Sequence, residues 1–408
     1  MLETPNGNTG IKSCQSTDRQ GFVGSCYHQR SASAQGCAVR VLIDYRPALR
    51  QRTGVGEYVH RMVEALVTTA PQCGPLSLTA FSSSWKDRLE LPLPAGVDVV
   101  DLRWPVSVLN LLWHRCAWPP VERLTGRIFD VVHSPHPLLI PARRAARVVT
   151  IHDLDFLEHT ERTQGEIRRD YPALVRRHAA AADRIVVPSH YTGERVRTEL
   201  GIAGDKISVC SNGAPPWLPR RNAPRPGHLL FVGTLAPRKN LPALLDAYGH
   251  LSAQRSDPPD LVVVGQRLGG DRNAVAVTSA LRHTVRFMGY VSEGRLRQLY
   301  EGARMLILPS LNEGFGLPAL EAMTVGVPVV ASNQGALPEV VGDAGLLVDP
   351  TNVEGIAAAI ERVLDDDELA RAMVVRGFER AKAYDWRSSA VALREAYRRA
   401  VENWKGPH

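Results

Sequence analysis

After residue 38 the chain alternates short apolar runs with amphipathic stretches. In the first half, runs at 39–44, 77–81, 97–100, 130–133, 147–151, 184–187 and 207–210 predict strands. Helical spacing there predicts helices over 55–68, 105–117, 165–181 and 190–200. In the second half the strands fall at 228–232, 261–264, 284–288, 305–308, 328–331 and 346–348. Its helices fall at 241–252, 273–281, 293–301, 317–325, 336–341, 353–364, 367–383 and 387–402. Strand–helix alternation of this kind predicts βαβ units and parallel sheets with helices on both faces.

The alternation lapses from Ala214 to Pro226, a Pro- and Arg-rich segment without periodicity, which has a linker composition. The expected organisation is a disordered tail over 1–38, an α/β doubly wound Rossmann-like domain over 39–214, a linker over 215–226, and a second such domain over 227–385. A final helix over 386–404 is expected to pack back on the first domain, through a stripe of Trp386, Ala390, Leu393, Ala396, Tyr397 and Val401. Two facing domains of this type would hold a ligand in the cleft at the carboxyl ends of both sheets.

With 44% apolar and 22% charged residues in 408, the chain is neither disordered throughout, collagen-like nor a disulfide scaffold. No apolar run reaches the ~18 residues that suggest a membrane-spanning helix. The six cysteines form no CxxC pair, which predicts reduced thiols in a cytoplasmic protein rather than a zinc site. The net charge of +7 lies entirely in residues 1–222, with 28 Lys and Arg against 21 Asp and Glu, while residues 223–408 balance at 21 each. That half either faces an anionic surface or carries a solvated Arg-rich exterior. No basic run is interleaved with stacking aromatics, so a nucleic acid is not an expected partner.

The richest chemistry lies in Leu308 to Glu321. A buried strand leads into a Gly-containing turn, and Pro318 sits where a first helical turn accepts it. Backbone N–H groups near Phe315, Gly316 and Leu317 would then offer an anion site. Glu313 and Glu321 flank the turn, and a carboxylate can accept hydrogen bonds from paired sugar hydroxyls. For Glu321, favourable placement in a first helical turn is the competing explanation. A second strand-to-helix junction runs from Gly233 to Asn240, with Asn240 as the expected N-cap. Arg238 and Lys239 precede that helix, where its dipole disfavours cations, so a shared anion is expected.

His152 follows the strand at 147–151, in position to bond a sugar hydroxyl or move a proton, or else to be a satisfied half-buried histidine. Asp153 and Asp155 form an acid-x-acid pair too common to predict a metal. Gly54 and Gly56, in Thr53-Gly54-Val55-Gly56, would let a loop cover an anionic ligand or merely turn. There is no GxGxxG after the first strand and no P-loop. The stretch 104–118, with three Trp and flanking Arg103, Arg115 and Arg123, suits either a membrane interface or a helix buried between layers.

Taken together, Glu313 to Glu321 with seven residues between, Gly233 to Asn240, and Thr150-Ile151-His152-Asp153 resemble the retaining glycosyltransferase family 4, over about Val39 to Trp404. The resemblance implies a two-domain GT-B fold and a nucleotide-sugar donor held mainly by the second domain. It implies Arg238 and Lys239 on the diphosphate, Glu321 on the ribose, Glu313 and His152 at the transferred sugar, and amides of Phe315, Gly316 and Leu317 at sugar and phosphate. Gly54, Gly56 and Gly233 would also border the donor, and no metal or other cofactor is implied. The Thr-Gly-Val-Gly-Glu-Tyr loop looks most like bacterial mannosyltransferases, which implies GDP-mannose and a saccharide or lipid-linked acceptor for cell-surface polysaccharide. The basic first half and the stretch 104–118 add the expectation of peripheral contact with an anionic membrane at its cytoplasmic face. A UDP-sugar donor, an epimerase and a non-catalytic nucleotide-sugar-binding protein are the alternatives on the same fold.

Overall fold

A computed structural model describes residues 38–49, 54–85, 89, 93–158, 170–224, 226–266 and 281–406. The expectations for the tail over 1–37, for Thr53, for helix residues 165–169 and for the helix over 273–280 lie outside the described residues.

The first half builds one seven-stranded parallel sheet. Its strands are β1 Val39–Asp44, β2 Leu76–Ser83, β3 Val97–Leu102, β4 Val131–Ser134, β5 Ala146–Thr150, β6 Arg184–Val187 and β7 Ile207–Val209. They lie in the order β3-β2-β1-β4-β5-β6-β7. The accompanying helices are α1 Val55–Thr68, α2 Ala70–Cys73, α3 Val106–Cys116, α4 Val121–Thr125, α5 Asp155–Glu158, α6 Tyr171–Ala181 and α7 His190–Glu199. Strand side chains alternate between faces. Val41 and Ile43 accordingly join Tyr58, Met62 and Leu66 of α1, while Leu42 joins Leu109 and Trp113 of α3 on the other side.

The second half repeats the plan with β8 His228–Val232, β9 Leu261–Val264, β10 Val285–Gly289, β11 Ala303–Leu308, β12 Val329–Ser332 and β13 Leu346–Val348. The order is β10-β9-β8-β11-β12-β13, again parallel. Its helices are α8 Leu241–Gln254, α9 Glu293–Glu301, α10 Leu317–Val325, α11 Leu337–Val341, α12 Val353–Asp365, α13 Asp367–Lys382 and α14 Trp386–Asn403. Leu306 and Leu308 pack against α10, whereas Met305 and Ile307 pack against α8 and α12. Both sheets therefore have the doubly wound α/β layout. In each, the order reverses beside the first strand, between β1 and β4 and between β8 and β11. Such switch points open a crevice at the strands' carboxyl ends.

Helix α14 starts at Asp385, whose carboxylate accepts the Arg387 and Ser388 N–H groups. Ala390, Leu393, Ala396, Tyr397 and Ala400 lie buried in the core shared by α1 and the first sheet. Burial of Leu393 alone is worth about 1.5–3 kcal/mol. The stripe read from the sequence is turned slightly at its end: Val401 is 39% exposed and Ala400 takes the buried place.

Helix α3 fits neither single reading of 104–118. Leu109 and Trp113 are buried, and the Trp113 indole N–H donates to the Pro119 carbonyl. Val106, Val108, Leu111, Trp104 and Trp118 are exposed.

Candidate active site

A cavity of about 880 Å³ lies between the two sheets, lined from the first half by Gly54, Glu57, Tyr58, Arg61, His152 and Asp153 among others. The second half contributes Gly233, Arg238, Lys239, Glu293, Glu313 to Pro318 and Glu321. The fold thus brings together nearly every predicted site residue. The exception is Gly56, which does not line the cavity. It sits against the Pro47 carbonyl, where a Cβ would come within 2.7 Å.

Arg238 and Lys239 occupy a short 3-10 turn, Pro237–Lys239, ahead of α8. Asn240 follows in a left-handed conformation at φ 55°, and its side chain does not cap the helix as expected. Its amide donates instead to the Pro350 carbonyl at 2.7 Å. The two cations turn back from the α8 N-terminus and find an anion within the protein, the Glu313 carboxylate. Lys239 Nζ bonds Glu313 Oε1, and Arg238 lies 3.2 Å from Oε2. Ser310 Oγ donates to Oε1 at 2.9 Å. Arg238 also donates to the Asn312 carbonyl at 3.1 Å and sits 3.7 Å from Asp153 across the cleft. Sequence reading offered no sign that Asn312, Ser310 and Asp153 would complete this cluster, apart from Ser310 standing three residues before Glu313.

Charges this deeply buried must be paired. Burial alone would raise the Glu313 carboxyl, but Lys239 and Arg238 hold it below the ordinary carboxylate value. Burial lowers the Lys239 ammonium, with Glu313 opposing the shift. Burial would also lower Arg238, yet Glu313 and Asp153 push it up. The cluster is two cations drawn onto one carboxylate by direct ion pairs.

Glu321 differs. It is the fifth residue of α10, beyond the first turn, so the helix dipole does not account for it. Tyr300 donates to its Oε2 at 2.7 Å. Burial, with Glu57 and Glu293 adding like charge, lifts its carboxyl to about 7. The neighbouring Arg61 joins Glu57 at 2.6 Å, Glu64 at 3.3 Å and Glu293 at 2.7 Å.

Helix α10 opens with Gly316 at φ 105°, and no side chain caps it. A Cβ on Gly316 would meet Leu337 at 2.6 Å in addition to the backbone strain. The uncapped amides beside Phe315, Gly316 and Leu317 border the cavity and suit an anion. His152 is half-buried, its Nε2 3.1 Å from the Pro135 carbonyl. Burial lowers its pKa, so the ring is neutral at pH 7. The Tyr58 ring meets it edge-on at 4.8 Å between centroids. Gly314 lies under the same loop, with space so tight that a Cβ would fall 1.8 Å from the His152 carbonyl oxygen.

Residues 52–217 match the family described as Glycosyltransferase Family 4, and residues 220–380 match Glycosyl transferases group 1. The O-antigen chain mannosyltransferase B of Escherichia coli is 34% identical over 284 residues, 66% of this chain and 74% of that protein. The chain belongs to the family 4 glycosyltransferases. It is a nucleotide-sugar-dependent retaining glycosyltransferase of the GT-B fold, acting on a saccharide or lipid acceptor. Solved structures carry the same fold at lower identity. Sucrose-phosphate synthase from Thermosynechococcus elongatus superposes with a TM-score of 0.70 at 21% identity, covering 89% of this chain and 98% of that one. Anabaena HepE in complex with UDP-glucose gives 0.65 at 18%, covering 87% and 98%. Among the described residues of this glycosyltransferase, no helix is long and apolar enough to cross a membrane.

Proposed function

We propose that this glycosyltransferase binds the donor diphosphate between the Arg238–Lys239 turn and the uncapped start of α10, and transfers the hexose to an acceptor hydroxyl offered from the first half. The observation that carries this is the placement of buried Lys239, half-buried Arg238 and the α10 amides on one cavity wall. In transfer, the bond from the anomeric carbon to the phosphate oxygen breaks and negative charge grows on that oxygen. Arg238, Lys239 and the amides of Phe315, Gly316 and Leu317 are in place to stabilise it as it develops. The acceptor oxygen then bonds the anomeric carbon from the same face, and its proton passes to the departing phosphate. Glu321 receives the ribose hydroxyls, Glu313 contacts the sugar while fixing Lys239, and neutral His152 bonds a sugar hydroxyl. Gly54 and Gly233 border the donor, and Gly56 supports the Gly54 loop from behind.

Between the two donors weighed, a UDP-sugar gains support from the UDP-glucose bound in HepE. GDP-mannose keeps the support of the mannosyltransferase relative. The deciding experiment is a binding titration without added metal against UDP-glucose, UDP-N-acetylglucosamine and GDP-mannose, followed by transfer assays. Selective micromolar binding of one donor, with free nucleotide released as acceptor is glycosylated, supports transfer. Donor consumption without glycosylated acceptor would favour an epimerase.

The exposed Val106, Val108 and Leu111 of α3, near the exposed Arg115, support a lipid-linked acceptor met at an anionic membrane face. Wild-type protein should then sediment with anionic vesicles at low salt, and the Leu111→Glu variant should not. Equal recovery of both in the supernatant removes this part of the reading.

A further inference from the structure

The loop that carries Glu313 is gripped from the opposite half of the molecule. Ser189 and Thr192, both buried at the start of α7, point their hydroxyls at the Gly314 carbonyl, at 2.7 and 3.0 Å. Ser189 Oγ also accepts the Thr192 N–H at 3.1 Å, as the N-cap of α7. The next two amides of α7 do not go to their own chain segment. His190 and Tyr191 donate to the two oxygens of Glu339, at 2.9 and 3.1 Å. Glu339 lies on α11, in the second half, and α11 is itself tied to the donor loop. The Ala336 N–H donates to the Glu313 carbonyl at 2.9 Å. A carboxylate at a helix N-terminus is a charge-assisted contact favoured by the helix dipole.

Gly314 therefore sits in a closed joint. On one side its carbonyl takes two hydroxyl protons from α7. On the other its α-carbon presses on the His152 carbonyl, leaving no space for a Cβ. The joint fixes Glu313, one residue before Gly314, relative to His152. Those residues belong to opposite halves of the cleft, and the Ser189 and Thr192 hydroxyls link the 313–317 loop directly to the first half.

We infer that Ser189, Thr192 and Glu339 are positioning residues that register the donor-side loop against the His152 loop for the chemical step. They touch neither half of the cation cluster. Their loss leaves donor affinity in place and lowers the rate at which bound donor reacts. This assignment rests on the proposal that the donor sits on the second half.

The test uses the full chain. Thr192→Val keeps the shape and removes the hydroxyl, while Thr192→Ser restores it. A lost neutral hydrogen bond is worth about 0.5–1.5 kcal/mol, which is roughly two- to tenfold in rate. Thr192→Val should lower kcat by that amount with donor Kd within twofold of wild type, and Thr192→Ser should recover kcat. Glu339→Gln should behave like Thr192→Val. Wild-type kcat in Thr192→Val overturns the inference. So does an equal loss of kcat in Thr192→Val and Thr192→Ser, which would assign the site to packing. If wild-type protein binds no nucleotide-sugar at all, the donor reading fails first, and that failure is seen before any variant is compared.

Discussion

Arg61 of α1 reaches across the cavity to Glu293 of α9, 2.7 Å from nitrogen to oxygen, and so ties the two halves at the rim of the cleft. The same guanidinium serves Glu57 and Glu64, and Glu293 also accepts the Trp217 indole N–H at 3.2 Å. Glu293 is half exposed, so the cross-cleft pair is worth only about 0.2–1 kcal/mol. Its electrostatic reach is larger than its stability. Replacing Arg61 by Ala leaves Glu57, Glu64 and Glu293 without their common partner near Glu321. The Glu321 titration should then move upward. The pH profile of donor binding in Arg61→Ala should shift to higher pH than in wild type, and an unmoved profile would show that Arg61 does not govern that carboxyl.

The raised carboxyl of Glu321 makes stability depend on pH in a fixed direction. A group with a folded pKa above its unfolded value favours the fold while protonated, and that contribution disappears as pH rises through the folded value. A rise from 4.5 to about 7 corresponds to about 3 kcal/mol, full below pH 4.5 and lost as pH passes 7. Gln imitates the protonated acid. Glu321→Gln should therefore match wild type in Tm near pH 5 and exceed it near pH 8. Equal Tm differences at both values would place the Glu321 pKa in the ordinary range.

The Lys239–Glu313 pair predicts the opposite response. Both partners are buried: without Glu313 the Lys239 ammonium loses its carboxylate, and without Lys239 the Glu313 carboxylate keeps only Arg238 and Ser310. Breaking such a pair costs about 3–5 kcal/mol. Glu313→Ala and Lys239→Ala should each lower the denaturation midpoint. Lys239→Met combined with Glu313→Gln should recover much of the stability without recovering activity. Lys239→Ala and Glu321→Ala are each expected to lose at least tenfold in kcat/KM, measured by nucleotide release at saturating acceptor. Wild-type turnover in either variant takes that residue out of the site.

Gly314→Ala puts a methyl group where the His152 carbonyl already is. Either the loop moves or the halves part. We expect a folded protein with little transferase activity, and hydrogen exchange at residues 312–317 and 150–154 should rise together. Full activity in Gly314→Ala would mean that the close approach is not needed for transfer.

Strand positions were the most legible part of the sequence. The runs at 228–232 and 261–264 coincide with β8 and β9, because inner parallel strands are apolar on both faces and end where glycine or polar residues begin, and the run at 346–348 coincides with the edge strand β13. The helices at 55–68, 293–301 and 317–325 were equally plain. Helix α4, at Val121–Thr125, was not anticipated, since five residues carry too little periodicity. In the site, Glu313, Glu321, Arg238 and Lys239 stood out by residue type at strand-to-helix junctions. What they bond to did not. The Arg238–Lys239 pair read as waiting for an external anion, and its resident partner lies 74 positions away. Ser189, Thr192 and Glu339 give no local signal, because a cap and a lone glutamate look ordinary until the fold sets the two hydroxyls against Gly314 and the carboxylate against the α7 amides.

Helix α14 bears on how the molecule assembles. It follows the whole second half in the chain, yet Leu393, Ala396, Tyr397 and Ala400 complete the core of the first sheet beside α1. The first half therefore leaves the ribosome with an apolar face on β4, β5 and β6 that its own residues do not cover. That face stays open through the synthesis of about 170 further residues, so the two halves cannot mature one after the other as independent folding units. The nascent first half carries this apolar surface uncovered until α14 is made, which leaves it exposed to aggregation over that interval.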